Sequence, residues 1–353
     1  MSIPSSFKAA IIQEKGSRHT IAQRHPKDLG ADEVGIRITA TAVNPVDWKV
    51  RDSSAFLKTY PAVLGSDAAG TIVAVGQDVS NFAVGDRVFF QGIIFNYDAS
   101  TFQEYCVMPA VLVGKTPKSI TDDQAAGVTL ATVAAVTGLY DKTGRGLPPP
   151  WEKDGEKAGG GKAIVILGGS SSVGQYVIQL ARLSGFERIV TAASPAHNEL
   201  LKSLGAHVVL DRNTARAEDY VSALNNLPLD VVYDSISLRD TQILGVDIIA
   251  ATNSNSASPV ITVMTVNSEA QSLGSSKNPK VDVRQIMGLG SAPNLRYLSE
   301  PLMKTLGGEE GWLAKGKFRA NRPVVFEGGL EKIDEALDRN REGVSGEKVV
   351  VHP

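Results

Sequence analysis

The chain has a single cysteine, Cys106, in 353 residues. No internal disulfide can form, which fits a reducing compartment, and a cytoplasmic protein is expected. Charge of one sign is also missing, since the formal net charge is -2 and no basic run stands out. General attraction to nucleic acid or to anionic membranes is therefore not expected. Nor is there a long hydrophobic run. The uncharged stretch Gln124 to Tyr140 is short for a bilayer span and carries Thr129, Thr132 and Thr137, so it reads as a buried helix at a domain junction. The segment Met1 to Ser6 has no apolar core of a signal peptide. What remains is a chain with 42% hydrophobic residues, able to bury a large core and of a length that usually splits into two domains.

The most informative segment lies between Ala163 and Ser184. Ala163 to Leu167 is a charge-free run of strand length, and Gly168, Gly169, Ser170, Ser171, Ser172, Val173 and Gly174 follow it. Helical periodicity then begins at Gln175. Glycines allow a sharp turn and close approach to a pyrophosphate, and the new helix offers unpaired N–H groups. Such a loop is otherwise only a tight turn. Further strands at Arg188 to Ala193, His207 to Leu210 and Leu229 to Tyr233, with a helix at Asn198 to Leu204, make a repeating βαβ pattern. That pattern predicts an α/β, doubly wound parallel sheet, with ligand beyond the carboxyl ends of its strands.

An acidic residue about 20 positions past the glycines would hold a ribose 2′-hydroxyl and repel a 2′-phosphate. The second strand instead ends Ala193-Ser194, with no carboxylate before Glu199. Ser194, His197 and Lys202 stand nearby and Arg212 ends the third strand, so NADPH is expected as the cofactor. Lys202 alone reads as a solvated helix position.

The N-terminal part has another texture. Short β-like runs at Val34 to Val43, Gly70 to Val75, Arg87 to Phe90 and Glu104 to Met108, with turns such as Val84-Gly85-Asp86, predict a compact β domain. Asp141 to Lys162 contains Pro148-Pro149-Pro150 and Gly159-Gly160-Gly161 and reads as an exposed loop. A helix around Glu300 to Lys315, a strand at Pro323 to Phe326, a helix at Leu330 to Arg341 and a strand at Lys348 to Val351 return the chain to the first domain.

Five ordered blocks carry a resemblance along nearly the whole length. They are Thr41 to Lys49 (TAVNPVDWK), Leu64 to Gly70 (LGSDAAG), Val84 to Val88 (VGDRV), the Gly168 loop, and Gly343 to Val350 (GVSGEKVV). The chain resembles the medium-chain dehydrogenase/reductase superfamily. The Ser-rich loop, Ala193-Ser194-Pro195 with His197-Asn198, and the long Pro-rich loop are similar to ToxD-like reductases and the trans-acting enoyl reductases of fungal polyketide pathways. The resemblance implies a GroES-like β-rich catalytic domain over 1–121, a Rossmann NADP-binding domain over 122–295, and a return to the catalytic domain over 296–353. It also implies NADPH-dependent reduction of a carbon-carbon double bond conjugated to a carbonyl.

Zinc alcohol dehydrogenases of that superfamily hold their metal on cysteine and histidine. Here Asn44 and its neighbours stand where the first cysteine would be, Ser66 and Asp67 stand in the region of the histidine-glutamate pair, and Cys106 is alone. No metal is expected, and Asp67 reads as a structural hydrogen-bonding group. An enone or enoyl thioester needs less help, because its carbonyl accepts the charge that hydride delivers.

Lys49 lies in the block matching the family's substrate cleft and is the first candidate for polar contact with the substrate or the nicotinamide; otherwise it is a solvated charge. Asn44 could bond the nicotinamide ribose or a substrate carbonyl, or serve as a turn residue before Pro45. Thr132 could address the nicotinamide or the carbonyl, or bond its own helix. Tyr60 is a possible proton donor or a packing residue, with water as the other proton source. Asp234 and Ser235, ending the fourth strand, and Met264 and Thr265, ending the fifth, would line the cofactor cleft, although Asp234 could equally cap the next helix. Phe56, Trp48 and Met287 read as core or as walls of an apolar pocket. Three functions stay open: an enoyl or enone reductase whose small-molecule substrate is free or delivered by a synthase partner, an NADPH:quinone oxidoreductase, and a non-catalytic NADPH-binding protein. Monomer and homodimer stay open as well.

Overall fold

The computed structural model describes residues 3–55, 57–252 and 258–353. Two compact units divide the chain: Met1–Leu130 with Gly290–Pro353, and Ala131–Leu289. The sequence had placed the joins at 121/122 and 295/296.

The first unit opens with β1 (Phe7–Ile12), β2 (His19–Arg24), β3 (Glu33–Ala42), α1 (Pro45–Ser53), β4 (Ala62–Val63), β5 (Ala68–Val75), β6 (Arg87–Phe90), β7 (Tyr105–Pro109), β8 (Val113–Lys115), α2 (Asp122–Ala126) and the start of α3 (Thr129–Tyr140). β3 organises it. This strand pairs antiparallel with β5, β7 and, at its end, with a C-terminal strand. Gly70 permits the β3–β5 approach, because a Cβ there would overlap the Arg37 carbonyl. Val34, Ile36, Ile72, Val88, Phe90 and Met108 fill one core of the unit.

The second unit continues with β9 (Ala163–Leu167), α4 (Ser172–Leu183), β10 (Arg188–Ala193), α5 (Asn198–Leu204), β11 (Val208–Asp211), α6 (Ala217–Ala223), β12 (Leu229–Asp234), α7 (Arg239–Ala251), β13 (Val260–Thr262), α8 (Ser268–Ser276) and β14 (Val283–Gln285). All six strands run parallel in the order β11-β10-β9-β12-β13-β14. Every residue of β9 and β12 is buried, as expected for strands covered on both faces. The strand order reverses between β9 and β12, and the crevice at such a switch point is where doubly wound sheets bind ligand. The Gly168 loop leaves β9 at that point. The chain then re-enters the first unit through α9 (Arg296–Leu306), β15 (Arg322–Val325), α10 (Ile333–Glu342) and β16 (Glu347–Val351). The strand that closes on β3 is β16, with Val350 opposite Ala42.

Several elements differ from the sequence reading. Gln124 to Tyr140 is not one helix: Thr121 caps α2, and Gly127 and Val128 separate it from α3. A Cβ on Gly127 would stand 2.7 Å from Cγ of Lys348, so the break makes room for that side chain. The Asp141 to Lys162 segment is not wholly exposed. Asp141 and Leu147 are buried, and Trp151 packs edge-on against Tyr140 at 5.6 Å between ring centroids. β13 ends at Thr262, so Met264 and Thr265 follow the strand instead of ending it. β11 ends at Asp211 and Arg212 lies just beyond it. The expected helix around Glu300 to Lys315 begins and ends earlier, and β1, β2, β4, β8 and β14 were not read at all.

Candidate active site

The cradle is built by local chemistry. Gly168 turns with φ of 79°, and Ser171 caps α4 by accepting the Gly174 N–H at 3.0 Å. Ser171 Oγ donates to Ser235 Oγ at 3.0 Å, and Ser235 Oγ donates to the Leu167 carbonyl at 2.6 Å, which ties the loop to the end of β12. Gln175 Nε2 donates to the Ser170 carbonyl at 3.1 Å and braces the turn from beneath. The N–H groups of Ser172 and Val173, in the first turn of α4, find no acceptor among the described residues. Unpaired donors at the positive end of a helix are what an anionic pyrophosphate requires, so the residues present fit a dinucleotide.

The ends of β10 and β11 lie side by side, Ala193 opposite Asp211. Ser194 is half-buried there and its carbonyl accepts the His197 N–H at 3.0 Å. The Arg212 N–H donates to the Ala193 carbonyl at 3.1 Å, while its exposed guanidinium has no ion-pair partner among the described residues. Lys202 is exposed and only 3.8 Å from Glu199, in keeping with a solvated position. Asp211, absent from the sequence reading, accepts the Asn213 N–H at 3.0 Å and so shapes its own turn.

Asp234 caps a turn. Its carboxylate accepts the N–H of Ile236 at 3.0 Å and of Ser237 at 2.8 Å, and the Thr241 hydroxyl at 2.7 Å. Burial nonetheless pushes its pKa up to about 6. All of these side-chain bonds organise the entry to α7, the capping role that the sequence left open beside lining of the cofactor cleft. The Thr265 carbonyl accepts from Gln242 Nε2 at 3.1 Å, and Met264 is half-buried beside it.

In the first unit, five polar side chains meet in the interior. Asn44 Nδ2 donates to Asp67 Oδ2 at 3.3 Å and to the Ala42 carbonyl at 3.3 Å, and Asn44 Oδ1 accepts from Lys348 Nζ. Lys348 Nζ also stands 3.5 Å from Asp67. The other Asp67 oxygen accepts the Leu130 N–H at 3.0 Å. Asp47 accepts the backbone N–H of Asn44 at 2.8 Å and the Ser66 hydroxyl at 3.0 Å. All five are buried, and Asp67 is fully so. Desolvation pushes Asp67 up to about 6 and Asp47 to about 7, and lowers Lys348. Both amide hydrogens of Asn44 are thus engaged within the protein. Asn44 thereby ties the entry to α1 to Asp67 and Lys348.

Lys49 lies on α1, not near a loop turn. It is half-buried, its Nζ 5.3 Å over the Trp48 ring, and desolvation lowers its pKa. Tyr60 packs against the apolar cluster around Val43 and Leu337, and its hydroxyl is buried with no partner among the described residues. Thr132 is fully buried in α3. Trp48 donates from Nε1 to Asn340 at 3.2 Å. Met287 is 57% exposed and is not core. Phe56 lies outside the described residues. Sequence reasoning missed Asp47, Ser66 and Lys348. The available signal was a lysine opening the valine run of β16, where a solvent-facing residue would alternate with buried ones and all of Lys348 to Val351 are buried.

Residues 30–118 match the family model described as Alcohol dehydrogenase GroES-like domain, and residues 172–253 match the one described as Zinc-binding dehydrogenase. The trans-enoyl reductase himH of Aspergillus japonicus is 34% identical over 330 residues, which cover 90% of this chain and 89% of that protein. The chain belongs to the medium-chain dehydrogenase/reductase superfamily. Another member, the trans-enoyl reductase TOXD of Cochliobolus carbonum, is 34% identical over 244 residues, 66% of this chain and 77% of TOXD. The crystal structure of Escherichia coli quinone oxidoreductase complexed with NADPH has a TM-score of 0.70 at 17% identity, covering 99% of this chain and 100% of that one. At that identity the likeness is one of fold: a GroES-like β-rich part and a Rossmann sheet.

The metal named in one family description does not fit the residues of this chain. Among the described residues, no three of His, Cys, Asp and Glu converge to hold an ion. The Cys106 thiol is buried on β7 and its pKa is raised by desolvation, the opposite of what a thiolate ligand needs. The ammonium of Lys348 already stands against Asp67, where a second cation would meet like charge. Among the described residues no helix is long and apolar enough to cross a membrane.

Proposed function

We propose that the protein is an NADPH-dependent, metal-independent reductase that transfers hydride to the β-carbon of a double bond conjugated to a carbonyl. The observation that carries this reading is the 34% identity to a trans-enoyl reductase over 90% of the chain. The bound dinucleotide supplies the hydride. The Gly168 to Gly174 loop holds its pyrophosphate, with the free N–H groups of Ser172 and Val173 as donors. Ser194, His197 and Arg212 take the 2′-phosphate, for which the unpaired Arg212 guanidinium is suited. Ser235 fixes the loop, and Met264 and Thr265 border the cofactor through backbone. Lys49 and Thr132 orient the substrate carbonyl and the nicotinamide end, and Tyr60, with its unpartnered hydroxyl, supports that region. The substrate is a small enone or an enoyl thioester, free or delivered by a synthase partner. We place the enzyme in the cytoplasm, as a monomer or homodimer.

Steady-state NADPH oxidation with a panel of enones, enoyl thioesters and quinones tests the reading. Turnover confined to quinones would replace it with a quinone oxidoreductase, and tight NADPH binding without any turnover would make this a binding protein. Lys49→Ala and Thr132→Ala are expected to lower kcat on an enone by at least tenfold and to change NADPH affinity less than threefold. Full activity in both would remove them from the site. Arg212→Ala is expected to weaken NADPH about tenfold, roughly 1.4 kcal/mol, and to leave NADH unchanged. Fluorescence titration of both dinucleotides measures the difference, and equal losses would show that Arg212 does not read the 2′-phosphate.

A further inference from the structure

Within the first unit, one face of α1 is fastened to α10. Trp48, Arg51 and Asp52 share that face at helical spacing, and each has a partner on α10. Trp48 Nε1 donates to Asn340 Oδ1 at 3.2 Å. Arg51 donates to Asp334 Oδ1 at 3.1 Å and to Asp338 Oδ1 at 2.7 Å, and Asp52 accepts from Arg341 at 3.1 Å. α10 is itself held from behind, because Asp334 accepts the backbone N–H of His19 on β2 at 2.9 Å and stands 2.9 Å from its Nδ1. Arg51 is buried, and a buried guanidinium gripped by two carboxylates yields far less readily than an exposed ion pair. The Trp48 ring also packs against the apolar cluster that includes Leu330, Ile333 and Leu337.

Lys49 is the next residue round the helix from Trp48, off the fastened face. Its ammonium lies 5.3 Å over the indole centroid, within cation–π range, and the side chain is half-buried. A lysine in open solvent keeps its many rotamers and directs its charge poorly. Here the ring that receives the ammonium is fixed twice, by the Asn340 bond and by the apolar cluster beneath it. The lysine is confined by a residue that α10 confines in turn.

We propose that Trp48, held by Asn340, is the positioning residue that fixes the Lys49 ammonium for the substrate carbonyl. The kinetic consequence rests on the reading of Lys49 under the proposed function; the place of the ammonium does not. Trp48 acts through Lys49 and needs no contact with substrate or cofactor. The negative face of its π system attracts the ammonium, so loss of that face releases the lysine to solvent. Asn340 acts one step further away, by setting the rotation of the ring.

Proton NMR of the substrate-free protein should show the ε-methylene signals of Lys49 upfield of those of other lysines, shifted by the Trp48 ring current and assigned by their loss in Lys49→Arg. Trp48→Leu should return them to the ordinary position and Asn340→Ala should move them part of the way. Trp48→Phe, which retains an aromatic face, should keep some of the shift. With an enone as substrate, Trp48→Leu is expected to lower kcat about fivefold and to change KM and NADPH affinity by less than about twofold. Lys49→Ala combined with Trp48→Leu should be no slower than Lys49→Ala alone, since a residue that acts through Lys49 then has nothing left to position. Multiplication of the two losses would show general support of the fold and would overturn the proposal. So would ordinary lysine shifts for Lys49 in the wild type. Full activity of Lys49→Ala, or failure to reduce any enone or enoyl thioester, overturns the functional reading of Lys49 instead, and the ring-current shift still decides where the ammonium is held.

Discussion

Lys348→Met is expected to destabilise the protein by about 3–5 kcal/mol at pH 8, the cost of leaving a buried carboxylate without its partner. The ammonium is within 3.5 Å of the fully buried Asp67 and also holds the amide oxygen of Asn44, the residue that precedes α1. Removing it leaves Asp67 with the Leu130 N–H and the Asn44 amide as donors, too little to offset desolvation of a full charge. The pH dependence has a definite sign. The folded pKa of Asp67, about 6, already lies above the ordinary carboxylate value, so the folded state binds this proton more tightly than the unfolded chain does. Stability from that proton is present at low pH and is lost as pH rises through the folded pKa. Loss of the ammonium raises this pKa further, so the deficit of Lys348→Met should be smaller at pH 5 than at pH 8. Lys348→Met with Asp67→Asn, which removes both charges, should recover much of the loss. Urea unfolding of the three proteins at both pH values checks this, and an equal deficit at pH 5 and pH 8 would refute the charge argument.

The cradle and its sheet were legible because their causes are local. Strands buried on both faces appear as charge-free runs, and Gly168, Gly169 and Ser171 perform turn and capping chemistry within a few residues of one another. β10 and α5 even have the bounds that the sequence suggests. The polar cluster was not legible because its members converge only through the tertiary fold: Lys348 and Asn44 are 304 positions apart. Lys348 also hid the break between α2 and α3, since its stem stands beside Gly127, and a lone glycine is a weak signal that α3 tolerates at Gly138. β2 alternates polar residues on an edge and β14 has three residues, so neither offers a period to read. The partner of the Ser66 hydroxyl, likewise, is specified by a residue 19 positions away in sequence and by the packing of α1.

Among the three cradle glycines the neighbours differ, and the difference selects the most disruptive substitution. A Cβ on Gly168 would overlap the Ile236 side chain, which is partly exposed and can swing aside, although the φ of 79° adds about 1–2 kcal/mol of strain for any other residue. On Gly169 it would meet the Thr191 hydroxyl, a side-chain atom that has to surrender its bond to the Ile166 carbonyl to move. On Gly174 it would overlap the Gly168 carbonyl and stand 2.9 Å from Gly169 Cα. Those atoms are backbone, and no rotamer relieves the clash. Gly174→Ala must therefore push the first turn of α4 away from the end of β9. That shift pulls the Ser172 and Val173 donors off the pyrophosphate and breaks the Ser171 cap, whose acceptor is bonded to the Gly174 N–H itself. Overpacking of this kind costs about 1–3 kcal/mol. Charged wholly to the bound state, it corresponds to roughly 5- to 150-fold weaker NADPH binding, with the lost donors adding to it. Gly174→Ala should thus weaken NADPH binding by roughly 5- to 150-fold or more, against about tenfold for Arg212→Ala, and, unlike that variant, should lose NADH to the same degree. Calorimetric titration of both dinucleotides tests this, and near-normal NADH affinity would mean that the pyrophosphate is held elsewhere.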